Sequence, residues 1–186
     1  AVRILSSLEM YSMIERLGLK VGDRKAAKAE TKYEPAIVFT NDFDYSSSKR
    51  VYFTYEIGES TLFEQNALSV LCFADGKMGF VRDCKPLFEN ENIEKITYDI
   101  KPLYSFLSER DIELKNAKAD IILAAYVLNP SSSNYDIDRL AQEYSVRFAE
   151  ISGCPEDIAE RAKHTAALMP LAEKMLAEIS SNEQEY

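Results

Sequence analysis

Four acidic side chains, Asp42, Asp44, Glu56 and Asp99, are of the type that holds a divalent cation. Hard cations take oxygen ligands, chiefly carboxylates, and a bound cation activates water for hydrolysis. Glu56 has the most ordered setting. The run RVYFTYEI over residues 50–57 is rich in β-branched and aromatic residues, the composition of a strand. Side chains two apart share a strand face. Tyr52, Thr54 and Glu56 then point one way, and Val51, Phe53, Tyr55 and Ile57 the other. Asp42 and Asp44 read as a solvated loop, and Asp99 as the N-terminal cap of a following helix. His164, the sole histidine, reads as a surface or packing residue of a helix. Cys72, Cys84 and Cys154 are odd in number and lack metal-type spacing, so they are expected to be reduced thiols in a cytoplasmic protein.

The elements that must position these residues follow from periodicity. Residues 1–19 carry apolar positions at helical steps (Ile4, Leu8, Tyr11, Ile14, Leu17), and residues 20–35 have the composition of a linker. A short strand is predicted at 36–40, and two more at 67–74 and 78–82 around the hairpin signal Asp75-Gly76. Another strand is predicted at 94–98. Leu103, Phe106 and Leu107 then share a helical face, residues 119–128 read as an apolar helix, and Asp136 reads as the cap of a helix carrying Ile137, Leu140 and Ala141. The region 155–179 is helical, with a stripe from Leu168 to Ile179, and Pro170 is expected to kink or interrupt it. Antiparallel strands followed by alternating strands and helices predict an α/β fold, a mixed sheet flanked by helices. With 186 residues, one domain of ordinary size is expected at 36–186. The net charge of −9 argues against a stand-alone nucleic-acid binder, and no run approaches the roughly 20 apolar residues of a membrane span.

Residues 94–129 resemble the middle of the 3′–5′ exonuclease domain of bacterial DNA polymerase I, family A. Ile112-Glu113-Leu114, then Asp120, Leu123, Tyr126, Leu128 and Asn129, match its order and spacing, and Asp136-Ile137-Asp138 with Leu140-Ala141 resemble its next helix. Residues 8–19 resemble the tail closing the upstream 5′-nuclease region, so 1–35 is expected to be that tail and a linker. Residues 182–186 resemble the segment leading into the polymerase domain. The resemblance implies an RNase H-like sheet, a parent nucleotidyltransferase acting in DNA replication and repair, and the parent's polymerase domain as partner.

It also implies what the site should contain. Proofreading members hold two divalent metals with four acidic side chains. Their first motif, D-x-E, falls on Thr54, Tyr55 and Glu56; their second, N-x-x-x-D, on Asp99 and Leu103; their third, Y-x-x-x-D, on Ala162 and Ala166 when aligned on Leu171. One carboxylate of four remains, Glu56. The expectation is therefore an inactive exonuclease-like domain with a structural role, no bound metal or cofactor, and weak or no DNA binding of its own. Two alternatives stand beside it. Asp42, Asp44, Glu56 and Asp99 could converge as substitute metal ligands, or tyrosines with Lys49, Arg50 and Lys101 could line a single-strand groove.

Overall fold

The computed structural model describes residues 37–58 and 67–181. The expected amino-terminal helix, the linker with its boundary at residue 35, and the segment 182–186 lie outside the described residues. The strands are β1 Ile37–Phe39, β2 Arg50–Ile57, β3 Leu68–Ala74, β4 Lys77–Val81, β5 Glu94–Thr97, β6 Ala117–Asp120 and β7 Ile151–Ser152. The helices are α1 Lys85–Phe88, α2 Lys101–Ser108, α3 Ile121–Leu128, α4 Ile137–Glu143 and α5 Ala159–Ser181, with a 3-10 turn at Glu156–Ile158 before α5.

These strands make one mixed sheet in the order β6-β5-β2-β3-β4-β1-β7. β2, β3 and β4 run antiparallel in sequence, whereas β5 joins β2 and β6 joins β5 in parallel. The β3–β4 connection is the expected tight turn: Asp75 and Gly76 both take positive φ, 49° and 76°, as a two-residue hairpin requires. Gly79, within β4, is needed for a different reason. A Cβ there would overlap the Thr40 carbonyl oxygen and lie 2.7 Å from the Phe43 Cβ, so only glycine lets the chain leaving β1 pass.

Two cores cover the two faces. One contains Tyr52, Leu71, Phe73 and Ile96 with residues of α3, α4 and α5, such as Ile121, Leu140, Leu168 and Leu171. The other contains Val51, Phe53, Val70 and Cys72 with Leu87 and Phe88 of α1 and Leu103, Phe106 and Leu107 of α2. The alternation expected along 51–57 is therefore what the sheet uses, and the α/β fold is as the sequence indicates. Cys72 is buried, Cys84 and Cys154 are half-buried, and all three are free thiols. No described helix is long and apolar enough to cross a membrane.

Three local expectations are corrected, and a fourth holds only in part. Residues 119 and 120 belong to β6 rather than to a helix. Asp120 is where strand becomes helix: its extended backbone (φ −116°, ψ 124°) caps α3, Oδ1 accepts from the Ile122 (2.8 Å) and Leu123 (3.4 Å) amides, and Oδ2 accepts from the Ile100 amide at 2.8 Å. Burial raises the pKa of its carboxyl, and those three amides oppose that rise. Asp99 is not the cap of α2; Ile100 takes that position, and Asp99 Oδ1 accepts from the Lys101 amide at 3.3 Å. Asp136 does stand at the cap of α4, yet its carboxylate makes no capping bond and accepts from Asn134 Nδ2 instead. Finally, α5 runs through Pro170 without a break. The proline removes one backbone donor, but Leu168, Leu171, Ala172 and Met175 around it are buried and hold both halves against the sheet.

Lys95 is an unexpected core residue, 1% exposed. Its Nζ donates to the carbonyls of Asn90, Ile93 and Lys115, which uses all three donors of an ammonium. Burial lowers its pKa to about 8 from 10.5. Native protein thus releases this proton near pH 8, while the unfolded chain keeps it to about 10.5. Lys95 therefore adds stability as pH rises above 8, and that gain is lost as pH falls back through 8. Lys95→Met should cost about 2 kcal/mol at neutral pH by stranding the carbonyls. In urea melts, the gap between wild type and variant should widen by about 1 kcal/mol from pH 8 to pH 9.

Candidate functional site

β2 and β5 run parallel and end on the same side of the sheet, and there the beginnings of α4 and α5 approach them. The cleft between these elements has a volume of about 490 Å³ and is lined by Thr54, Glu56, Tyr98, Arg161 and His164, together with Asp136, Asp138, Asp157 and Glu160. Thr54 and Glu56 face α5, as two-residue spacing demands, because the alternate residues Phe53 and Tyr55 pack on the other core.

The feature that organises this cleft is Arg161, in the first turn of α5. Its Nη1 donates to Glu56 Oε2 (2.8 Å) and Ser69 Oγ (3.0 Å). Nη2 donates to the carbonyls of Thr54 (3.1 Å) and Ser69 (2.7 Å), and Nε to Thr54 Oγ1 (3.3 Å). A guanidinium has five N–H donors, and each has an acceptor. Glu56 and Ser69 are cross-strand partners in the β2–β3 ladder, so one side chain clasps both strands to α5. The guanidinium also lies over the Phe80 ring, 5.6 Å from its centroid. Burial lowers its pKa and the Glu56 charge raises it again; arginine stays charged in proteins regardless.

A hydroxyl relay completes the arrangement. Thr165, fully buried, donates to the Arg161 carbonyl one turn back at 2.8 Å. Its only hydrogen being committed, the 2.6 Å contact between Thr54 and Thr165 has Thr54 as donor. Arg161 Nε, Thr54, Thr165 and the Arg161 carbonyl therefore form a closed ring of hydrogen bonds.

The other expected positions distribute as follows. Leu103 is fully buried in the core beneath α2, and Ala162 and Ala166 are buried against the sheet. The residues one position earlier, Arg161 and Thr165, are the ones that touch Thr54. Asp99 lies in an adjoining hollow of about 350 Å³ with Thr97 and Pro102, and its carbonyl accepts from Tyr55 Oη at 2.6 Å. Neither Asp42 nor Asp44 lines the cleft, and Asp44 Oδ1 accepts from the Ser46 amide at 2.8 Å, which lowers its pKa. Lys49, Arg50 and Lys101 are exposed and outside the cleft, with Arg50 paired to Glu94. His164 packs on the Phe148 ring (centroids 5.7 Å apart), and its Nε2 is 3.4 Å from Asp138 Oδ2. Tyr98 is pushed up to about 12, first by burial and then by the Asp136 charge, and its hydroxyl donates to the Tyr135 carbonyl at 3.1 Å.

With that geometry in view, the comparisons are informative. A family profile for the ribonuclease H-like domain of DNA polymerase I matches residues 48–150, more than half of the chain. The chain belongs to this family. Within the family's curated members, DNA polymerase I of Bacillus subtilis (strain 168) is 29% identical over a stretch covering 54% of this chain and 13% of that protein. The chain thus spans a small part of the length of that relative. Among solved structures, the POL domain of Pol1 from M. smegmatis, in complex with DNA primer-template and dNTP, is similar in fold with a TM-score of 0.60 at 15% identity, covering 79% of this chain and 28% of that one. Trypanosoma brucei RNase D, in complex with RNA U12, gives a TM-score of 0.42 at 14% identity, covering 68% and 55%. The family match ends at residue 150, so α5, which carries Arg161 and Thr165, lies beyond it.

The residues present do not fit a pair of divalent cations of the family's kind. Glu56 is bound to a guanidinium, Thr54 is a neutral hydroxyl inside a hydrogen-bonded ring, and among the described residues no three His, Cys, Asp or Glu side chains are disposed to hold a metal. Asp136, Asp138, Asp157 and Glu160 were missed by motif counting. All four sit at or near the starts of α4 and α5, where the helix dipole favours anions, and only the fold brings them to one cleft.

The relay makes a stability prediction. Thr54→Val and Thr165→Val should each destabilise by about 1 kcal/mol, and the double variant should lose less than their sum because both break the same ring. Urea unfolding of the four proteins measures the coupling.

Proposed function

We propose that this domain is a non-cleaving 3′–5′ exonuclease-like domain of a DNA-directed DNA polymerase, acting as a structural element beside the polymerase domain in replication and repair in the cytoplasm. The observation that carries this reading is the pairing of Glu56, the one carboxylate left at the family's four acid positions, with Arg161. Phosphodiester hydrolysis in this family depends on two cations held by carboxylates, and the positions that should supply them are Thr54, Leu103 and Ala166. Without those cations the water is not activated and the leaving oxygen's charge is not stabilised.

The electrostatics of the cleft support weak or absent DNA binding by the same domain. Five carboxylates line it, those of Glu56, Asp136, Asp138, Asp157 and Glu160, against the charge of Arg161 and a histidine. Affinity for nucleic acid comes mainly from cations that neutralise phosphates, and a cleft of this sign repels them. Lys49, Arg50 and Lys101 are not gathered at its rim. A domain that keeps its sheet and both cores while lacking the cleaving groups still offers a rigid body for a neighbouring domain to pack on.

The test is direct. Incubated with a labelled single-stranded oligonucleotide and magnesium, then manganese, the chain should leave the 3′ end at full length, as in an EDTA control. Metal-dependent trimming that disappears in Glu56→Ala would overturn the reading.

A further inference from the structure

Arg161 occupies a place where helix physics disfavours it. The first turn of α5 is the positive end of its dipole, which attracts anions such as Asp157 and Glu160 and repels a cation. The side chain is nevertheless carried to the sheet and kept only 12% exposed. What it meets there explains the placement. Its five acceptors are Glu56 Oε2, Thr54 Oγ1, the Thr54 carbonyl, Ser69 Oγ and the Ser69 carbonyl. Carboxylate, hydroxyl and carbonyl oxygens of this kind are what a hard divalent cation would take as ligands.

We infer that the Arg161 guanidinium is an internal replacement for a divalent cation: a charge attached to the chain that satisfies the oxygens at the end of β2 and excludes metal from them. The inference rests on the non-cleaving reading and adds a cause to it, since the site has not only lost acids but gained a resident cation. Entry of a metal would require five hydrogen bonds to break together, with the displaced guanidinium repelling the newcomer at close range. Lost carboxylates alone make a different prediction. If they were the whole story, returning an acid at position 54 would return some affinity for metal.

Manganese-dependent thermal melting of the full chain separates the two. Wild type and Thr54→Asp should both be insensitive to manganese at about 10 mM, because the guanidinium would pair with the new carboxylate rather than yield to a metal. Thr54→Asp combined with Arg161→Met should melt about 3 °C higher with manganese than without, as expected when a ligand binds only the folded state. A manganese response in Thr54→Asp equal to that of the double variant would overturn the inference. So would a response in wild type that vanishes in Glu56→Ala. Should loss of Arg161 unfold the chain, the Thr54→Asp arm decides alone: no response supports the assignment and a response overturns it. Metal-dependent DNA trimming by wild type would defeat the non-cleaving reading and this inference with it. A response in Thr54→Asp without trimming would defeat only this inference.

Discussion

A guanidinium withdrawn from water must find an acceptor for every N–H it carries, and the site is built around that requirement. Arg161 can meet it only where the end of β2 lies beside β3, because its acceptors come from Thr54, Glu56 and Ser69 on those two strands. That fixes the register of α5 over the sheet. It places Thr165 one turn later above Thr54, which closes the hydroxyl ring. It also turns Ala162 and Ala166 inward, where small side chains let the helix lie close to the strands. The acids on the starts of α4 and α5 remain at the open side of the same cleft.

Much of the fold could be read from residue order because its signals are local. The alternation of 51–57 and the apolar faces of residues 103–107 and 137–141 reflect strand and helix periods, the Asp75-Gly76 turn reflects one dipeptide, and each is realised. The misreadings share a cause as well. Asp120 looks like part of an apolar helix because the residues after it are apolar, yet a buried acid just before a helix is what a cap requires. Pro170 looks like a break because propensity is local, whereas Leu168 and Leu171 are held by the sheet. The short strands β6 and β7 have too few residues to show a period.

The site was less legible than the fold. Thr54 and Glu56 lie on the cleft face, as strand alternation indicates, and Leu103 lies in the core. In α5 the assigned positions, Ala162 and Ala166, face the core, while their neighbours Arg161 and Thr165 reach Thr54. A search for missing acids also passes over an added base. An arginine on a helix is ordinarily solvated, and the contacts of Arg161 with residues more than ninety positions away are set by tertiary structure. A signal was present in retrospect: Arg161 and Thr165 are four apart, and that spacing puts two side chains on one helical face.

The pairing of β1 has a consequence for how the chain assembles. It lies between β4, which follows within the first half of the chain, and β7, near the start of the last helix. The β2–β3–β4 meander needs only neighbouring sequence and closes small loops, whereas β7 and α5 must return across most of the chain. The middle of the sheet is therefore made of local pairings, and one flank of it depends on distant ones. During synthesis from the amino end, Glu56 is made 105 positions before its guanidinium partner. The cleft is thus incomplete until α5 docks, because Glu160, Arg161 and His164 line it, and the same helix covers the first core.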